Sequence, residues 1–323
     1  MRAAEPVPVT LDSCEAEAVL AVLAARRTGQ PVEEAAWKRL FDCAGYQRLK
    51  RREASMKRDF TDEDFRAFVQ SADLAGREQA LRETLEGWKR IDVTSAAQRA
   101  LAYLPAGATL KATVYLVIKP KPNSFVFEAQ SDPAIFLYVD PKVSARKLAN
   151  TVTHELHHIG LASLGPQTGK ALASVPEKTR PAVEWLSAFG EGVAMLAAAG
   201  SPDVHPHAVS DTEERSRWDK DMAGFAADLR TLERFFLDVI DGRLEKDKVS
   251  EKAFTFFGVQ GPWYTVGYRM AALVEKRNGR AVLLDCLVDP RRLLLAYNRA
   301  AAPEGLPLWS DELLAKMGAK TAE

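Results

Sequence analysis

An α+β fold with helices in excess is predicted by three features of the sequence. Apolar residues recur at helical spacing from about Asp12 to Leu104, three short β-branched or aromatic runs lie between Ala112 and Val139, and helical spacing returns after Gly165-Pro166. A few strands between two helical portions indicates α+β rather than α/β.

The first portion is anchored by Leu20, Leu23, the Trp37/Leu40/Phe41 group, Phe65/Phe68 and Leu81/Leu85/Trp88, and an acid-rich turn after Thr61 starts one of its helices. Around Leu104-Pro105-Ala106-Gly107 the pattern changes. Ala112–Ile118, Phe125–Glu128 and Ala134–Val139 read as strands of a small sheet, with Pro120 and Pro122 in a connecting loop and Asp140-Pro141 ending the last strand. A long helix over about Ser144–Leu164 follows. Further helices are predicted near Pro181–Ala199, Glu213–Ile240, Trp263–Lys276 and Arg291–Arg299, separated by stops such as Asn278-Gly279 and Asp289-Pro290. The stripe Trp218, Met222, Phe225, Leu229, Leu232 and Phe236 is read as core. With no internal repeat and no long linker, the expected organisation is an N-terminal helical region over 1–105 and a second region over 106–323, joined in one compact unit.

The 323 residues carry 44 Lys plus Arg against 44 Asp plus Glu, so no net field favours nucleic acid or an anionic membrane. The basic stretch from Lys50 to Arg58 is followed by acids and reads as a solvated helix face. Cys14, Cys43 and Cys286 are too few for a disulfide scaffold. Three buried thiols are expected, with a Cys14–Cys43 bridge as the alternative in an oxidising compartment. No stretch reaches the roughly 18 uninterrupted apolar residues of a membrane span. Ala16–Ala25 is led by Asp12, Glu15 and Glu17 and reads as an amphipathic helix, not a signal peptide. Both a cytoplasmic chain and a mature secreted or periplasmic form stay open, and oligomeric state has no sequence signal.

The chemistry concentrates in His154-Glu155-Leu156-His157-His158. Within the 144–164 helix, Ala145, Leu148, Val152, Leu156, Ile159 and Ala162 form one apolar stripe, which puts His154 and His158 on a second, polar face. Imidazoles at i and i+4 can direct nitrogens at one zinc ion ~2.0–2.1 Å away, while Glu155 can reach a water there without ligating the metal. With five histidines in the chain, a chance HExxH is uncommon. His157 is left as a packed or hydrogen-bonded neighbour. Asn150 and Thr151, one turn earlier, line the site or serve as ordinary helix surface.

A catalytic zinc takes a third protein ligand. Glu191, in the apolar small-residue run Ser187–Met195, is the leading candidate, and Gly190 and Gly192 beside it would let its helix approach the metal helix closely. Glu184 is the second choice. For an oxyanion donor the candidates are Tyr264 and Tyr268, one helical turn apart, with His205 and His207 as rivals.

HExxH followed by a helix-borne Glu resembles the gluzincin metallopeptidases. Glu191-Gly192-x-Ala194 with the distant Tyr264-x-x-Gly267-Tyr268-x-Met270 looks like bacterial families described as zinc-dependent proteases. The resemblance spans about Thr113 to Asn298; it implies a zincin-like core with a small sheet before the HExxH helix, His154, His158 and Glu191 as zinc ligands, Glu155 as general base, and a peptide or protein substrate. The spacing to Glu191 is longer than in thermolysin. The same metal and base would also serve a non-peptide amide or ester, and a metal-binding protein without turnover is the third class.

Overall fold

Residues 8–319 are described by the computed structural model. Contacts divide the chain into two units, Met1–Ala97 with Leu110–Glu155 and Gln98–Thr109 with Leu156–Glu323. The expected boundary at 105/106 falls inside the short segment Gln98–Thr109.

In the first unit, β1 (Val9–Asp12) is followed by α1 (Cys14–Arg27), α2 (Glu34–Asp42), α3 (Ala44–Ser55), α4 (Asp62–Val69) and α5 (Ala72–Trp88). The side chains of Thr61 and Ser71 cap the N-termini of α4 and α5. Helix α6 (Val93–Leu101) carries the chain out of this unit, which it re-enters for β2 (Ala112–Val117), β3 (Phe125–Phe127) and β4 (Ala134–Tyr138). The sheet order is β1-β2-β4-β3, with β1, β2 and β4 parallel and β3 antiparallel to β4. All five β4 residues are buried, as expected of a central strand covered on both faces. The three strands expected after residue 110 are present. Strand β1 was not expected; four residues at a sheet edge are too few for a pattern of period two to register.

The helix α7 (Ala145–Ala162) contains the division between the units and runs through it unbroken. The second unit continues with α8 (Gly165–Ala173), α9 (Arg180–Trp185), a 3-10 turn over Leu186–Phe189, α10 (Gly190–Ala199), α11 (Thr212–Ala223), α12 (Phe225–Ile240), α13 (Lys246–Thr255), α14 (Pro262–Asn278), α15 (Arg280–Cys286), α16 (Arg291–Ala301) and α17 (Asp311–Met317). Gly165-Pro166 does close α7, but Pro166 then opens α8, where a missing N–H costs nothing. The 213–240 helix is two helices split at Gly224. Its predicted stripe is core: Trp218, Phe225, Leu229, Leu232 and Phe236 are buried and Met222 packs against them. The helical run Arg180–Ala199 is long and apolar enough to cross a membrane by length and composition, yet 67% of its apolar window is buried inside the protein, as in a core helix.

The expectation of three free thiols is corrected. Cys14 and Cys43 form a disulfide with Cα atoms 5.7 Å apart, because α1 packs against both α2 and α3 and Cys43 is the residue that joins them. Only Cys286 is free; it is buried, which pushes its thiol up to about 11. The bridge closes a separation of 29 residues, so reduction, or Cys14→Ala with Cys43→Ala, is expected to cost about 3–4 kcal/mol of stability by the loop-entropy relation. Denaturant melts with and without reductant measure this, and coincident melts would contradict it.

The carboxyl of Glu15 is buried, with one oxygen accepting the Ile118 N–H at 2.8 Å and the other lacking a hydrogen-bond partner among the described residues. Burial is the main cause that raises its pKa to about 8, against partial opposition from the Ile118 bond and Lys119. The folded state therefore holds a proton more tightly than the unfolded chain, where the group titrates near 4.5. This contribution is complete below pH 4.5 and is lost as pH rises towards 8. Glu15→Gln is expected to flatten the stability profile across that window and to exceed the parent in stability at pH 8. Parallel profiles from pH 5 to 8 would refute the assignment.

Candidate metal centre

Helix α7 buries Leu148, Val152, Leu156 and Ile159, as its apolar stripe requires, and also Thr153 and His157. His154 and His158 are half-buried on the other face, and Glu155, also half-buried, lies at the edge of the stripe. The ring of His157 is fully buried, and its Nε2 lies 3.1 Å from the Tyr103 carbonyl oxygen, which can only accept, so that nitrogen carries the proton. Tyr103 is held in turn: its hydroxyl donates to Glu275 at 3.3 Å and accepts from Arg280 at 2.7 Å, and the Arg280 guanidinium lies over its ring. Sequence reasoning placed His157 off the metal but found no role for Tyr103, whose only signal is a tyrosine in an otherwise plain helical end.

Glu191 sits in the first turn of α10, where most other side chains are buried. Its Oε2 lies 3.1 Å from Nε2 of His158. His154, His158 and Glu191 each offer a ligand atom within 4.8 Å of the others, and these three form the one such group of His, Cys, Asp and Glu among the described residues. Two ligand atoms held ~2.0–2.1 Å from one ion at a tetrahedral angle stand about 3.3 Å apart. The His158–Glu191 pair already has that separation. Two imidazoles and a carboxylate are a donor set suited to zinc, so the residues fit a divalent ion.

Glu184, the second-choice ligand, lies outside this group and is exposed. Gly192 does not serve the approach to α7 that its position suggested. A Cβ there would sit 1.9 Å from the backbone nitrogen of Tyr268 and 2.6 Å from Cα of Gly267, so it lets α10 cross α14 backbone to backbone. Gly190 does face α7; a Cβ on it would meet Leu161 Cδ2 at 3.5 Å, an ordinary contact.

That crossing fixes the start of α10 and so the direction of Glu191. It also places the two tyrosines differently. Tyr268 is buried, its ring edge-on to Trp218 and its hydroxyl donating to the Val204 carbonyl at 3.3 Å. Burial pushes its phenol up to about 12. Tyr264, one turn earlier, is half-buried and edge-on to Phe257. His205 accepts the His207 N–H at Nδ1 and so donates from Nε2 to Asp219 at 2.9 Å; His207 Nδ1 pairs with Ser210 at 2.9 Å. His207 thus holds its own loop together, and His205 also ties that loop to α11.

A family model described as "Putative zinc dependent peptidase (DUF5700)" matches residues 37–304, well over half of the chain. The chain belongs to this family. As a member of a zinc-dependent peptidase family it is read as a hydrolase of peptides or proteins, and the His154, His158 and Glu191 group lies inside the matched span. No curated protein and no solved structure matches the chain.

Proposed function

We propose that the chain is a gluzincin-type peptidase that hydrolyses peptide bonds at a zinc ion held by His154, His158 and Glu191, with Glu155 as general base. The observation that carries this reading is the 3.1 Å approach of Glu191 to His158 across 33 positions of sequence, on the helix face that also bears His154. Zinc bound there would polarise the scissile carbonyl and lower the pKa of a water toward ~7.

Glu155 follows His154 directly, so its carboxylate reaches the same space without being a ligand. It takes a proton from the attacking water as the water oxygen bonds to the carbonyl carbon, and delivers that proton to the leaving nitrogen as the C–N bond breaks. Tyr264 and Tyr268 are the candidates to donate a hydrogen bond to the oxyanion in this reading. The Tyr268 hydroxyl donates to Val204 and would have to leave it, and the rivals His205 and His207 would have to leave Asp219 and Ser210. The Cys14–Cys43 bridge supports an oxidising compartment.

Metal analysis of dialysed protein together with hydrolysis of a peptide library tests this reading. The parent chain is expected to hold one zinc and to cut peptides, with chelation abolishing and zinc restoring the cutting. Glu191→Ala should lose zinc affinity by at least about a hundredfold, because removing a ligand costs no less than removing its outer partners. Glu184→Ala should keep it. Equal zinc in Glu191→Ala and parent would remove Glu191 from the ligand set, and cleavage of esters or non-peptide amides alone would replace the substrate class.

A further inference from the structure

A cavity of about 430 Å³ opens beside the donor group, wholly within the second unit. The His158 ring forms part of its wall, with Leu161 and Ala162 from the turn after it, Gly190 next to Glu191, and Leu287 and Leu293 beyond. Among the described residues, its ionisable lining is limited to His158, Glu184 and Cys286. Glu184 is exposed and so keeps its hydration, while the Cys286 thiol is buried and neutral. A charged side chain entering the cavity would lose water and find no buried partner of opposite charge, whereas an apolar one would be removed from water against hydrocarbon.

We propose that this cavity receives a substrate side chain next to the cleaved bond and selects bulky neutral residues, aromatic or branched aliphatic. The inference rests on the peptidase reading above. A carbonyl presented to His154, His158 and Glu191 lies against the same His158 ring from which the cavity opens, so a neighbouring side chain of an extended substrate has this space within reach. The volume exceeds that of any single side chain. A glycine would leave it wet, while a phenylalanine exchanges that contact with water for contact with Leu161 and Leu293, an effect on the order of tenfold or more in affinity.

Binding of two fluorescein-labelled octapeptides, identical except for one central Phe or Gly, to the zinc-loaded full chain carrying Glu155→Gln tests the proposal by anisotropy without turnover. The Phe peptide is expected to bind at least tenfold more tightly. Ala162→Trp in the same background places an indole in the cavity and should bring the two within about twofold, with Thr168→Trp as a second variant that occupies it. Equal binding of the two peptides, or a tenfold preference that survives in filled variants melting like the parent, overturns the proposal. Cleavage of both peptides alike by the chain with Glu155 intact also overturns it and leaves the peptidase reading standing. Discriminating binding with no cleavage by that chain overturns the peptidase reading and keeps the pocket.

Discussion

Glu155→Gln is expected to lower kcat by about 10²–10⁴-fold while zinc content, KM and melting temperature stay at the parent's values. The substitution keeps the length and shape of the side chain and its helix propensity, so α7 has no reason to change. It removes one capacity, that of accepting a proton from water and returning it. Glu155 is half-buried and is not one of the buried residues Leu148, Val152, Leu156 and Ile159 whose packing fixes α7. Zinc retained with turnover lost separates a base from a ligand. A kcat within about threefold of the parent would remove Glu155 from the chemistry; loss of zinc would make it a ligand instead.

The part of this centre that was legible in the sequence is the part governed by helical geometry. Two histidines four apart, a stripe of Leu148, Val152, Leu156 and Ile159 at matching spacing, and a carboxylate at 191 where an apolar helix has no other use for one are all local signals, and the fold brings the three donors together. The strands β2, β3 and β4 were legible for the same reason, through composition within a few residues. What local pattern cannot contain is the identity of a distant partner. Gly192 signalled a close approach, but the sequence does not say that the neighbour is Gly267 rather than α7. The pairing of Cys14 with Cys43 depends on how α1 meets the α2–α3 junction, and the bond from His157 to Tyr103 spans 54 positions. The break at Gly224 was hidden by a stripe that continues in phase across it, from Trp218 and Met222 to Phe225 and Leu229.

Gly192→Ala is expected to destabilise the chain by about 3 kcal/mol or more and to weaken zinc binding with it. An added Cβ would stand 1.9 Å from a backbone nitrogen and 2.3 Å from a backbone carbonyl carbon of α14, and neither atom can rotate away as a side chain could. The helices must separate, which loosens the packing of Phe189, Val193, Trp263 and Val266 in the shared core and costs more than the 1–3 kcal/mol typical of overpacking against side chains. Because α10 moves as a unit, Glu191 in its first turn leaves its 3.1 Å separation from His158, so the effect on the metal follows from the same clash. Gly76→Ala is the matched control: it lies in the exposed interior of α5 with nothing within 4 Å of the added carbon, and relief of glycine's helix cost should raise stability by up to about 1 kcal/mol. Thermal melts and zinc titrations of the two variants read out opposite signs if α10 and α14 touch through glycine. Equal melts for Gly192→Ala and parent would mean that the helices do not cross there, and the direction of Glu191 would need another cause.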